Sequence, residues 1–185
     1  MVKKENNFYF VIGLILLASF SRIIPHYPNF TPIIAISLFG GKYFENRNLA
    51  FFLPVFILWI SDLIINNFIL DYYKTFTFFY PGFYWQYFSI LLISFIGRNY
   101  IKEISVFRLL GISISSSLVF FIISNFGVFI SSSIYSKDFN GLLICYIAGI
   151  PFFYGTLLSS IIYTFSLFGI YKFIYQNKFK LHKNH

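Results

Sequence analysis

The chain has 185 residues, of which 58% are hydrophobic, 24% aromatic and only 11% charged. A soluble domain carries about 25% charged residues, so too little polar surface remains to cover a fold surrounded by water; the composition predicts a single all-α polytopic membrane domain over residues 1–185. The formal net charge of +8 does not indicate nucleic acid, because the basic residues are scattered between apolar runs and form no stripe.

Six apolar segments follow one another, at 8–24, 29–44, 49–69, 82–97, 105–130 and 142–175. A helical crossing needs about 20 apolar residues, with a range of roughly 17–25. The first segment follows Lys3 and Lys4 and contains Ala18–Ser19–Phe20, which raises the alternative of a signal peptide. Its apolar run continues to Ile24 and the cleavage pattern is poor, so a membrane span is expected. The second segment is short, and a re-entrant loop is its alternative. The positive-inside rule separates the two. Six crossings from an inside N-terminus leave only Arg22, Lys74 and Lys137, of the 14 lysines and arginines, on the outside. Re-entry at segment two would put four inside and ten outside. The expectation is therefore six crossings with both termini in the cytoplasm.

Aromatic residues agree with this arrangement. Tyr72, Tyr73, Tyr80, Tyr84 and Trp85 gather at the third loop, and Tyr171 and Tyr175 mark the opposite boundary. Small residues in segment two (Ala35, Ser37, Gly40, Gly41) and the serines of segment five (Ser113, Ser115, Ser116, Ser117) predict close helix packing. Segment six is too long for one straight crossing, and Gly149–Ile150–Pro151 is expected to interrupt it. Residues Leu142–Ile150 would then form a half-helix or ordered loop, as in transporter sites, or a simple kink.

The six-span topology gathers polar side chains at one depth. Arg22 lies about 21 Å along helix one from Phe8, and Asp62 roughly 20 Å along helix three from Leu49. Asn66 and Asn67 sit one turn beyond, Asn125 near the outer end of helix five, and Cys145 and Tyr146 near the outer start of helix six. His26 and Asn29 belong to the first outer loop, which three prolines stiffen. Ionisable groups within membrane helices usually face the bundle interior or a wet cavity. Arg22, His26, Asn29, Asp62, Asn66, Asn125 and Tyr146 are therefore the candidate substrate-binding residues. Each also has a structural reading. Arg22 and Asp62 would neutralise each other, His26 would be solvated, Asn29 would cap helix two, and Asn125 would satisfy a helix–helix hydrogen bond.

Several chemistries are missing. Gly40–Gly41–Lys42 is not a phosphate loop, because Ile36 and Tyr43 stand where a glycine and a Ser or Thr are required. There is no H-E-x-x-H, and His182 and His185 lie in a basic tail. The single cysteine, Cys145, excludes an internal disulfide. No catalytic triad is readable, and six acidic residues make a carboxylate-rich metal site a poor expectation. An enzyme, a metal centre and a cofactor are not expected.

The run R-x-x-P-H-x-P-N-F-T-P-I at Arg22–Ile33, then LFGG, then P-x-x-x-x-W-I-S-D-L at Pro54–Leu63, resembles an uncharacterised family of small bacterial six-helix membrane proteins. S-N-F-G-V at Ser124–Val128 and G-L-L-I-C-Y-x-A-G-I-P-F-F at Gly141–Phe153 extend the resemblance over nearly the whole chain. The sequence departs from that pattern at Phe129 and Gly155, where the family carries Trp and Asn. The family has no assigned activity. Its architecture is similar to the substrate-capture (S) components of energy-coupling-factor transporters, which work with a separate membrane scaffold and ATPases. The polar cluster toward the outer face, together with the missing ATPase motif, leads to the expectation of a substrate-binding subunit of the cytoplasmic (inner) membrane, taking up a small polar or anionic nutrient with an energising partner. Arg22 would pair with an anionic group through its fork of donors. The alternative is a non-transporting scaffold or cell-envelope assembly partner, with the same polar residues as internal staples.

Overall fold

The computed structural model describes residues 2–24, 26–69 and 73–181, with side chains over 8–24, 26–69 and 73–174. Tyr72, Lys183, His182 and His185 lie outside the described residues, as do the side chains of Lys3, Lys4, Tyr175, Lys178 and Lys180. Six helices follow in order: α1 (Val2–Phe20), α2 (Ile33–Tyr43), α3 (Arg47–Ile64), α4 (Phe83–Tyr100), α5 (Val106–Ser131) and α6 (Phe139–Leu181). A π-helical turn, Ile65–Ile69, prolongs α3. No strand occurs among the described residues.

Three helices are long and apolar enough to cross a membrane: Arg47–Ile69, Val106–Ser131 and Phe139–Ile174. Two shorter apolar helices, Phe8–Phe20 and Ile33–Tyr43, accompany them. The surface points the same way as the lengths. Large apolar side chains such as Leu17, Phe52, Phe107 and Ile134 are exposed, whereas among the described residues every buried polar side chain except Asp62 is a serine or threonine. A soluble monomer rarely shows so much contiguous apolar surface. Small hydroxyls inside and large hydrocarbon outside is the pattern of helices packed within lipid.

Helix α2 is the axis of the bundle. All residues from Ile33 to Gly41 are buried. Eleven residues rise only about 16 Å, half of the ~30 Å hydrocarbon core of a bilayer. Glycine is required where α2 meets α4. A Cβ on Gly41 would lie 2.3 Å from the Ser94 carbonyl oxygen, and one on Gly97 would lie 2.4 Å from that of Leu38. Neighbouring helices present regular stripes to this core. Val11, Leu14, Ile15 and Ala18 repeat at helical spacing on α1. Ala50, Pro54, Ile57, Leu58, Ser61 and Asp62 do so on α3, and the stripe therefore delivers Asp62 to the interior.

Serines tie α5 to α6. Ser113, Ser116 and Ser117 are buried, and Ser117 Oγ lies 2.6 Å from Ser160 Oγ. Ser115, by contrast, is exposed and bonded to the Gly111 carbonyl. Caps fix the helix starts: Asn46 Oδ1 accepts from the backbone N–H of Asn48 and Leu49, and Ser105 Oγ from that of Arg108.

Basic side chains mark one end of the bundle. The Arg98 guanidinium donates to the carbonyls of Phe44 and Glu45 at 3.0 and 3.2 Å, and Lys42 donates to that of Lys102 at 3.2 Å. Arg47, Arg108 and Lys172 share this end by connectivity. At the opposite end Lys137 donates to the carbonyls of Phe129, Ile130 and Ser132. A cation thus caps the C-terminus of α5, where the helix dipole favours it.

Three local expectations are corrected. Helix α6 runs unbroken from Phe139 to Leu181 through Pro151, so Leu142–Ile150 is not a separate half-helix or loop. Proline deletes one backbone bond, but ending the helix would strand several more polar groups in an apolar medium, where nothing else satisfies them. Asn29 does not cap α2: that place belongs to Pro32, four residues before Ile36, and Asn29 sits in a left-handed turn with φ 58°. Helix α1 ends at Phe20 and does not extend to Ile24, and residues 21–24 form a turn.

Candidate functional site

The loop between α1 and α2 folds over the bundle and rests on α6. A Cβ on Gly155 would stand 2.2 Å from the Pro28 carbonyl oxygen, so glycine at this position seats the loop backbone directly on the helix. The loop carries Arg22 to Asp62, with which it forms an ion pair at 11% side-chain exposure on both sides. Tyr87 Oη donates to the second carboxylate oxygen at 3.5 Å. The Tyr80 hydroxyl is buried beside the same carboxylate and feels its charge. Burial first, and then the Asp62 carboxylate, hold that phenol well above its ordinary range. The Arg22 Nε–H is buried and unpartnered.

Two adjoining cavities open beside this pair. The larger, about 260 Å³, follows the α5–α6 seam. It is walled by Phe120, Phe121, Ser124 and Asn125 on α5 and by Cys145, Gly149, Phe153 and Thr156 on α6. From Cys145 to Thr156 it runs roughly 16 Å along the helix axis. The smaller, about 60 Å³, is lined by Arg22, Thr31, Ile34 and Leu58. Asn29, Gln86, Phe120 and Thr156 border both. They come from the loop, α4, α5 and α6, so the neck between the cavities is built by four separate segments. Exposed Asn29, Ala148 and Phe152 give the larger cavity its mouth.

Glycine shapes this wall too. A Cβ on Gly149 would lie 2.2 Å from Asn125 Oδ1. Asn125 fits into that notch, its amide donating to Phe121 O at 2.8 Å within α5 and not across to another helix. The Cys145 thiol donates to the Asn125 carbonyl at 3.4 Å. Ser124 and Thr156 hydroxyls bond back to their own helices. The carboxamides of Asn29 and Gln86 and the Tyr135 hydroxyl border the cavity with no hydrogen bond among the described residues.

Of the seven candidate residues, Arg22, Asn29 and Asn125 line the cavities. Asp62 stands behind Arg22 as its counter-ion. His26 is exposed, with its ring nitrogens 2.9 and 3.3 Å from the carbonyls of Tyr27 and Arg22, and it borders neither cavity. Tyr146 donates to the Ile122 carbonyl at 2.7 Å and stitches α6 to α5. Asn66 lies in the π-helical turn without lining either cavity. Its neighbour Asn67 does the anchoring there: its amide reaches the carbonyls of Leu63 and Thr77 at 2.9 and 3.0 Å, and its oxygen accepts from Thr77 N–H at 2.7 Å.

Sequence reasoning missed Gln86 and Thr156, which hold the neck. Gln86 lies within an aromatic boundary run, YWQYF, where a polar residue reads as headgroup-facing. Thr156 lies below Pro151, beyond the expected interruption. A continuous α6 would have placed it on the face of Cys145 and Gly149, at spacings of seven and eleven residues.

Such an arrangement can enclose a small molecule, offer it amide and hydroxyl partners on one side, and cover it with phenyl rings on the other. No group of three or more His, Cys, Asp or Glu able to hold a metal ion occurs among the described residues. No curated protein and no solved structure matches the chain. The model of a family of unknown function, DUF6580, matches residues 2–182, and the chain belongs to that family.

Proposed function

We propose that this is a six-span membrane protein that binds a small polar nutrient in the neck between α4, α5, α6 and the first loop. The observation that carries the reading is the cavity itself. It is a built pocket with unpartnered carboxamides (Asn29, Gln86) and an aromatic wall, bordered by the first loop on the side away from the basic cluster. The charge distribution supports a cytoplasmic basic end and therefore a mouth on the outer face of the cytoplasmic membrane. A polar pocket at that depth fits capture of a solute for uptake, in the manner of the substrate-capture components. Arg22 and the carboxamides would hold the solute, and a separate scaffold and ATPase would supply the energy.

The alternative, a scaffold or envelope-assembly partner, draws on the staples. Arg22–Asp62, Asn67–Thr77 and Tyr146–Ile122 all fasten one segment to another. Thermal unfolding of the purified protein in lipid nanodiscs across a panel of small nutrients separates the two. A saturable upward shift with at least one solute, lost on blocking the mouth with Ala148→Trp, is expected. A flat response over the whole panel would leave the scaffold reading standing.

A further inference from the structure

Within the binding reading above, we infer that the ligand is uncharged: a small planar molecule with an amide-like edge, not an anion. The reason lies in how the chain has spent its charges. Among the described residues Arg22 is the one ionised side chain that borders either cavity, and its guanidinium is already paired with Asp62. Asp62 is 8% exposed and touches neither cavity. An anion drawing Arg22 to itself would strand that carboxylate in the interior beside the neutral phenols of Tyr87, at 3.5 Å, and Tyr80, with no other cation acting on it among the described residues. A cation would find no carboxylate in the wall, and Arg22 would repel it.

Neutral polar groups, by contrast, are in place and free. Asn29 and Gln86 each carry two donors and an acceptor oxygen, unused among the described residues. The Arg22 Nε–H adds one more donor without breaking the ion pair. A carboxamide lining matches a ligand that both donates and accepts along one edge, such as an amide, lactam or ureide. Phe120, Phe121 and Phe153 supply flat apolar cover. At about 260 Å³, the cavity is small beside the ~300–1,000 Å³ of typical ligand sites, which limits the ligand to one or two rings.

Matched probes that differ only in charge test this. Benzamide against benzoate, and indole-3-acetamide against indole-3-acetate, are titrated into the nanodisc-embedded protein at pH 7.5, followed by thermal shift and by isothermal calorimetry. The amide of at least one pair is expected to bind at least about tenfold more tightly than its carboxylate. Asp62→Asn, which releases Arg22, is expected to narrow or reverse that ratio; Asp62→Asn paired with Arg22→Gln restores the amide preference and serves where the single variant does not fold. A carboxylate bound as tightly as its amide by the unaltered protein overturns the inference but leaves a binding site. No response to any probe of either charge overturns the binding reading and this inference with it.

Discussion

Consider the substitution Arg22→Met, alone and together with Asp62→Leu. Removing one partner of a buried ion pair costs about 3–5 kcal/mol, because the survivor is left charged and uncompensated, whereas replacing both with apolar groups is close to neutral. The surroundings rank the two single variants. Without Arg22 the Asp62 carboxylate keeps the neutral phenols of Tyr87, at 3.5 Å, and Tyr80 but no cation among the described residues, so Arg22→Met belongs near the top of that range. Without Asp62 the guanidinium still borders the small cavity and reaches its polar groups, so Asp62→Leu belongs near the bottom. At about 2–4 °C per kcal/mol for a chain of this size, the single variants should melt roughly 6–20 °C below the parent. The double variant should recover most of that loss, a coupling of at least about 2 kcal/mol. Differential scanning fluorimetry in nanodiscs reads all four species. A double variant as unstable as the sum of the singles would refute the pairing and the loop position that rests on it.

Other consequences follow from named contacts. Gly155→Ala drives a Cβ to 2.2 Å from the Pro28 carbonyl, and backbone cannot rotate away as a side chain can; a loss of about 1–3 kcal/mol is expected, together with weaker ligand binding, measured on the same nanodiscs. Asn67→Ala removes the amide that joins the end of α3 to Thr77 and should cost about 1–3 kcal/mol in chemical unfolding. Asp138 is exposed, and its carboxyl lies below the ordinary range because the Gly141 N–H and the Ser136 hydroxyl donate to it. Its lowered folded value means that the stability it adds is present above the usual carboxylate range and lost as pH falls through that folded value. Asp138→Ala should therefore flatten the acid limb of a stability–pH curve, and an unchanged limb would count against these two hydrogen bonds. A cysteine placed at Lys178, in a Cys145→Ser background, should react with an impermeant maleimide only from the cytoplasmic side of sealed vesicles. Labelling from the other side would reverse the orientation and put the cavity mouth inside.

How much the sequence disclosed depended on the distance over which each signal acts. Helix count and positions came from hydrophobic run length, a local property, and the six segments coincide with six helices to within a few residues at most ends. Asp62 was findable because it continues the buried stripe of α3 at helical spacing. The partnership with Arg22 was legible as two opposite charges at one computed depth. What stayed hidden was non-local. Pro151 read as an interruption, yet the surrounding apolar residues carry the helix through it. Asn29 read as a cap, yet Pro32 begins the helix and frees Asn29 to border the cavity. Gln86 and Thr156 meet only when α4, α5 and α6 are packed, and nothing in their own neighbours announces that meeting. The glycines at 149 and 155 carry no chemistry, but each is defined by what presses on it from another segment.

The most direct measurement is mass spectrometry of small molecules released from the protein purified in mild detergent from its native membrane, beside the Ala148→Trp variant. An uncharged compound of one or two rings, near stoichiometric with the parent protein and absent from the plugged variant, is the predicted result. Equal and negligible recovery from both preparations, or recovery of the same compound from both, would contradict a ligand held in the α5–α6 cavity.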